Sequence, residues 1–494
     1  MTAASERPSR LEKLLQIVTE VRGGEGPTAL LLTLNVFLLL SAYYVIKPVR
    51  EALILAQEGG ANLKSYLGGA IAIALLFAVP AYARFARTLP RNRLVVGVTL
   101  FFVSHILGFF LASLVPGLRS DLGVVFFIWV GIFNMMVVAQ FWAFANDIYT
   151  EEQGQRLFAL LGLGASVGAA AGSQLTSALA ELLGTYNLLL VAAGLLSVCA
   201  LLSQIVHQRD VAEDAARPAP PPVNPAATTT PKKTSGAFQL VWEHRYLSLI
   251  AAFSLVFTAV NTNGEYILGR LVKAEAKAQV ARTVDPAQVA AFLAQPEADA
   301  ELSAWFEAKG AKEYPGQNLA EVRQEVAEAV LLDGLTRDRI GKTYADFFLW
   351  VNVLGVLLQT FLVSRIVKAL GLSRAFLIFP VMALFSAGAT ALFPVFAVLR
   401  IGKTAENATD YSLNNTLRNM LWLPTTKEMK YQAKQAVDTF FVRMGDVSSA
   451  VLVYVGAELL GWTVRGFAIS NLVAIMGWLV LAVAIGREHR RLHP

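Results

Sequence analysis

Residues 41–55 read SAYYVIKPVREALIL, an apolar run that nevertheless carries Lys47, Arg50 and Glu51 beside Pro48. An ionisable side chain in a hydrocarbon-length helix costs at least a few kcal/mol, and it persists where it faces a bundle interior or a water-filled path. Tyr43, Lys47 and Arg50 follow four-then-three spacing and share one helical face. A second set, Arg400, Lys403, Asn407, Asp410, Asn414 and Arg418, falls within about 80° of arc at about 100° per residue, a polar stripe on one long helix. Smaller sets stand at Asn261, Asn263, Glu265 and Arg270, at Asn134, Gln140, Asn146 and Asp147, and at Asp438, Arg443 and Asp446. Cations interspersed with amides suit a multiply charged anion, because each cation meets a phosphate or carboxylate oxygen in a charge-assisted hydrogen bond.

Simpler explanations cover part of this inventory. Arg443 and Asp446 are three apart and neutralise each other, while Arg400 and Arg418 sit near opposite ends of their segment, where long side chains snorkel. Asp147 and Arg270 lie close to segment edges and read as structural. Lys47, Arg50, Glu265, Lys403 and Asp410 have no such account. Pro48 interrupts the backbone ladder beside the cations, either to bend the helix at a binding site or as a kink without ligand contact. Catalysis has little to stand on. The two GKT triplets, at Gly341–Thr343 and Gly402–Thr404, lack the preceding P-loop glycine, with Thr336 and Ala397 in its place. No metal-ligand spacing or nucleophile motif accompanies them. The expectation is a protein that is not an enzyme, with no cofactor, no metal and no nucleic-acid partner.

The elements that hold these residues are helices in a membrane. Of 494 residues 55% are hydrophobic and 16% charged, against about 25% charged in soluble chains, and the mean hydropathy is +0.52. Apolar runs of the roughly 20 residues a bilayer needs fall near 29–55, 64–86, 94–115, 122–146, 157–183, 185–206, 245–270, 344–364, 375–394, 396–423, 434–460 and 466–486. The loops ARFARTLPRNR, SRIVKALGLSR and TTKEMKYQAK and the tail REHRRLHP are basic, whereas the links at 57–63, 116–121, 395 and 461–464 carry almost no cations apart from Arg119. That asymmetry predicts twelve spans with both termini cytoplasmic. The organisation expected is a cytoplasmic lead 1–28, a six-helix half 29–206, a flexible cytoplasmic linker 207–244, a second half 245–486 and a cytoplasmic tail 487–494. The second half is interrupted by a periplasmic insertion at 272–342. Proline, alanine and threonine without apolar periodicity mark the linker, and apolar positions such as Val289, Phe292 and Leu293 predict two or three short amphipathic helices in the insertion.

Internal repetition supports two equivalent halves. Arg84, Arg87 and Arg93 follow the second span, and Arg365, Lys368 and Arg374 follow the eighth at the same spacing; YTEEQGQR and TTKEMKYQAK likewise follow the fourth and tenth. A duplicated six-helix unit around a central path is the architecture of the major facilitator fold. The fold class is therefore an all-α polytopic membrane protein, twelve transmembrane helices in two six-helix halves. Gly164, Gly168 and Gly172, four apart, predict close helix packing, and the single cysteine, Cys199, reads as a small apolar filler.

Three segments, SAYYVIKPVREALIL, FWAFANDIYTEEQGQRLFALLGLGASVG and LWLPTTKEMKYQAKQAVDTFFVRMGD, resemble the ATP/ADP translocase family of bacterial energy parasites and plastids. Its FWGFAN and PTKEM motifs read here Phe141-Trp142-Ala143-Phe144-Ala145-Asn146 and Pro424-Thr425-Thr426-Lys427-Glu428-Met429. The resemblance spans most of the membrane segments but not the linker or the insertion. It implies a nucleotide exchanger in which the family's first-span arginine and lysine fall on Lys47 and Arg50, its seventh-span glutamate on Glu265 and its PTKEM lysine on Lys427. The family glutamate about eleven residues before FWGFAN has Val130 near its place, with Asn134 the nearest polar residue. The expected substrate-binding set is Tyr43, Lys47, Arg50, Asn134, Asn146, Glu265, Lys403, Asn407, Asp410, Asn414 and Lys427. The expected substrate is a nucleotide or another phosphorylated anion, carried by a monomer in the lipid bilayer.

Overall fold

The computed structural model describes residues 9–16, 19–86, 91–216, 237–422, 424–426, 429 and 433–492. Among these, nine helices are long and apolar enough to cross a membrane. Gly60–Ala86, the shorter Ile378–Leu392 and the polar stretch 396–420 complete twelve. Spans one to six are Gly26–Leu55, Gly60–Ala86, Arg91–Ser113, Arg119–Ile148, Glu151–Leu183 and Leu188–Ala216. Spans seven to twelve are Arg245–Ala281, Arg323–Ala375, Ile378–Leu392, residues 396–420, Lys434–Leu459 and Val464–Leu492. Alternation of direction puts both chain ends on one face, here the terminal face, and residues 282–322 on the other, the insertion face.

Span one is the keystone of the first half, and its packing follows from small residues. A Cβ on Gly168 would lie 2.2 Å from the Phe37 carbonyl oxygen, and one on Gly172 would lie 2.3 Å from that of Ser41. Spans one and five therefore touch backbone to backbone, and the Ser41 hydroxyl donates to the Gly168 carbonyl at 3.0 Å. Pro48 has no N–H for the carbonyl of Tyr44 one turn earlier. The Thr176 hydroxyl of span five lies 3.4 Å from that oxygen while donating at 2.9 Å to the Gly172 carbonyl, and the helix continues to Leu55. Gly168→Val is expected to abolish the folded population, because two backbones must separate to admit the side chain. Gly162→Val, where a Cβ meets nothing within 4 Å, is the matched control, read as monodisperse protein after detergent extraction.

Each half fastens its first span to its last with a buried asparagine. Asn35 donates to Ser203 Oγ at 2.8 Å and to the Cys199 carbonyl at 3.1 Å, and Asn263 donates to Asn471 at 2.8 Å. The lead before span one is also built in. Glu12, 3% exposed, closes a capping box with Ser9 and accepts from the Gly24 and Gly26 amides at 2.7 and 3.3 Å, so it satisfies an otherwise orphaned donor of the span-one helix. Arg156 of the YTEEQGQR turn grips the same lead through Glu25 and the Glu20 carbonyl. The Ser9 amide first, then its hydroxyl and the Gly24 and Gly26 amides, hold the Glu12 carboxyl below its ordinary range against the opposing effect of burial. Its contribution is therefore complete above the ordinary carboxylate range and is lost as pH falls through the depressed value. Protection of the Gly24 and Gly26 amides, corrected for the intrinsic pH dependence of exchange, should fall with that acidification in the wild type, and Glu12→Gln should remove the dependence.

Two expected boundaries shift. Span six continues to Ala216 and Ala237–Glu243 is helical, so both ends of the expected linker 207–244 are ordered helix, Leu240 and Val241 being buried in the second-half core. The insertion expected at 272–342 is smaller. Residues 272–281 extend span seven and 323–342 open span eight, both rich in helix formers and free of proline. Between them lie Pro286–Leu293, Ala298–Trp305 and Ala311–Glu313, and the first two share a small core of Val289, Phe292 and Leu302 with Val326 of span eight.

The halves meet toward the insertion face. Polar contacts join Ser177 to Asp346, Thr185 to Asp338 at 2.6 Å, Glu181 to Lys342 at 2.8 Å and Asn62 to Tyr266 at 2.9 Å. Arg119, the cation that stood out among the charge-poor links, pairs with Glu301 of the insertion at 2.6 Å, and Lys312 reaches Glu58. Among the described residues the hydrogen bonds between the halves lie toward the insertion face, so the halves are closed on each other there.

Candidate functional site

Lys47, Arg50 and Glu51 sit where the two halves converge. Glu51, only 1% exposed, accepts from Arg50 Nε at 3.1 Å and from Lys64 Nζ of span two at 2.5 Å. The Arg50 guanidinium also lies 5.1 Å from the ring centre of Phe127. The first-span carboxylate thus neutralises one cation beside it in sequence and a second from the next helix. Lys47 is different. Its Nζ stands 3.8 Å from the ring centre of Phe348, on span eight of the other half, and 5.3 Å from that of Tyr44. Among the described residues no carboxylate pairs with it. Tyr43 packs edge-on against Tyr44 at 5.4 Å, lining the same face of span one.

A matching cluster is built from spans seven and ten. Lys403, 1% exposed, donates to Asn261 at 2.9 Å and pairs with Glu406 at 3.2 Å and Glu265 at 3.6 Å. Asn407 donates to Glu265 at 3.0 Å, which holds that carboxylate against the lysine. Asp410 accepts from Asn414 at 2.6 Å and has no ion pair among the described residues. Residues 410–414 form a stretch of π-helix, which shifts the register by about one residue. The expected single α-helical stripe from Arg400 to Arg418 is therefore broken in the middle. Arg418 does not snorkel: it lies 3.9 Å from Asp438 and 5.1 Å from the Phe257 ring centre, in a cavity of about 210 Å³ with Asn415, Trp422 and Lys434.

The expected residues are thus brought together unevenly. Tyr43, Lys47, Arg50, Glu265, Lys403, Asn407, Asp410 and Asn414 form two charged clusters on facing halves. Asn134 and Asn146 are exposed and, among the described residues, make no hydrogen bond to those clusters; Val130, near the family glutamate's place, is fully buried. Lys427 lies outside the described residues. Lys64, Glu406 and Phe348 were missed. Glu406 had a signal, three residues after Lys403 and so one turn away, whereas nothing in the sequence linked Lys64 to Glu51 or Phe348 to Lys47.

The major facilitator superfamily model matches residues 32–271, just under half of the chain. Among solved structures, the nucleoside transporter NupG superposes with a TM-score of 0.56 at 11% identity, covering 93% of this chain and 98% of that one. The fold is the major facilitator fold. A mutant of the peptide transporter POT gives 0.55 at 12% identity over 98% of this chain and 99% of that one, and the POT family transporter PepTSo gives 0.51 at 14% over 94% and 98%. A comparison with curated proteins returns no significant match.

Proposed function

We propose that this protein is a membrane transporter that exchanges nucleotides or similarly phosphorylated anions by alternating access. In this reading it is a monomer in a bacterial inner membrane, with the terminal face cytoplasmic. The observation that carries the proposal is Lys47, a cation between the halves whose contacts among the described residues are aromatic rings rather than a carboxylate. A phosphate oxygen gains a charge-assisted bond from it without first displacing an acid. Arg50 and Lys403 are already neutralised by Glu51, Glu265 and Glu406. A bound phosphate competes for them, and in the empty site the pairing limits the cost of leaving buried charge uncompensated. Reorientation then has to undo the contacts on the insertion face, Arg119–Glu301 and Lys342–Glu181 among them, and bring the terminal-face ends together.

The test is uptake of labelled ATP into proteoliposomes with and without internal ADP, alongside Arg50→Ala. The expected result is uptake that needs internal ADP and disappears in the variant; no uptake by well-folded protein sinks nucleotide exchange. Asp410 favours a second reading, a proton-coupled carrier of another organic anion, because its carboxylate is held only by Asn414. Uptake driven by an imposed pH gradient with empty liposomes, lost in Asp410→Asn, is what that reading requires.

A further inference from the structure

On the insertion face span seven ends in Arg270, Lys273 and Lys277, spaced so that all three share one side of the helix. They line an open cavity of about 590 Å³ together with Gly59 from the turn between spans one and two, Asn62 at the start of span two, and Gly461 and Trp462 from the link between spans eleven and twelve. That volume lies within the range of small-molecule sites, about 300–1,000 Å³. Arg270 donates to the Trp462 carbonyl at 3.3 Å and to the Tyr266 hydroxyl at 3.5 Å, and Lys273 donates to the Gln57 carbonyl. These acceptors are neutral. Lys277 is exposed, and among the described residues none of the three cations forms an ion pair.

Two neighbouring carboxylates are taken by other lysines: Glu58 by Lys312, and Asp333 by Lys309 at 2.6 Å. Glu458 accepts from the neutral donors Asn62 at 3.1 Å and Tyr66 at 3.0 Å and keeps its charge at the cavity's rim. Three cations without a direct ion pair among the described residues thus line the open volume against one such carboxylate, an excess of positive charge. We propose that this cavity is a second anion site, which binds a phosphate group on the insertion face while the central path is sealed from that side. The proposal is independent of what the central site carries. A phosphate there meets a guanidinium and two ammonium groups at once, with Trp462 offering an aromatic wall. The group belongs either to a soluble phosphorylated anion or to the headgroup of an anionic lipid, since the cavity sits at the end of a membrane span.

The experiment uses the full chain in phosphatidylcholine nanodiscs, titrated calorimetrically with pyrophosphate. The titrated chains all carry Lys47→Gln, which takes the central phosphate contact out of the reading, and they are compared as wild type and Lys273→Gln/Lys277→Gln at the cavity. Binding should weaken by about tenfold or more in the double variant, since two charge-assisted contacts are removed. Repeating the titration with phosphatidylglycerol in the disc identifies the source. Loss of pyrophosphate binding, with phosphatidylglycerol retained by the wild type but not by the double variant in native mass spectrometry, assigns the site to lipid. Undiminished binding assigns it to a soluble anion. Equal pyrophosphate affinity and equal lipid retention in the wild type and the double variant overturn the proposal, as does the absence of both in the wild type.

Discussion

Glu51→Gln is expected to cost about 3–5 kcal/mol of folded-state stability, the range for removing one partner of a buried ion pair. Two cations depend on this one carboxylate: Arg50 and Lys64 both bind it, and their side chains are 17% and 14% exposed. A glutamine keeps the shape and offers one acceptor, yet it leaves two positive charges facing each other in a medium where water cannot replace the lost anion. Arg50→Ala should be milder, because Glu51 keeps Lys64 as a partner. The measurement is thermal unfolding in detergent micelles, with Glu51→Gln/Lys64→Met alongside. The double variant removes one of the stranded cations and should recover part of the loss. An unchanged melting temperature in Glu51→Gln would show that the triad is solvated and contributes little.

How far the sequence reached depended on the kind of signal. Hydrophobic runs and the basic loops are read along the chain, so the twelve helices and the glycine packing face of span five were legible, whereas its partner, span one, was not. Span ten was legible as a polar helix, but its π-helical stretch at 410–414 was not, because an added residue in one turn leaves no mark on composition. The helical ends at 207–216 and 237–243 were hidden by the proline-rich stretch between them. Within the site, the residue types were recognisable from their cost in hydrocarbon. Their partners were not, because Lys64, Phe348 and Glu265 reach Glu51, Lys47 and Lys403 from other helices. Arg119 shows the same limit: alone it looks like an exception to the charge asymmetry, and only Glu301 on the folded insertion gives it a place.

Pairing also separates two lysines that the sequence treats alike. Lys403→Gln leaves Glu265 and Glu406 without their shared cation at 3.6 and 3.2 Å, so lost transport should come with a stability cost of about 3–5 kcal/mol. Lys47→Gln removes only contacts to Phe348 and Tyr44, which are worth about 0.5–2 kcal/mol, and the protein should melt close to the wild type. Its effect should fall on substrate. Loss of one charge-assisted contact to phosphate, about 1.5–3 kcal/mol, corresponds to a roughly 10–150-fold fall in affinity. The ADP-dependent ATP uptake of Lys47→Gln should therefore collapse at low external ATP and return in part as ATP is raised, while Lys403→Gln loses folded protein at every concentration. Wild-type uptake by a well-folded Lys47→Gln would remove Lys47 from the substrate's path. It would move the search for the phosphate contact to Arg50, the one cation of the first-span face then left to make it.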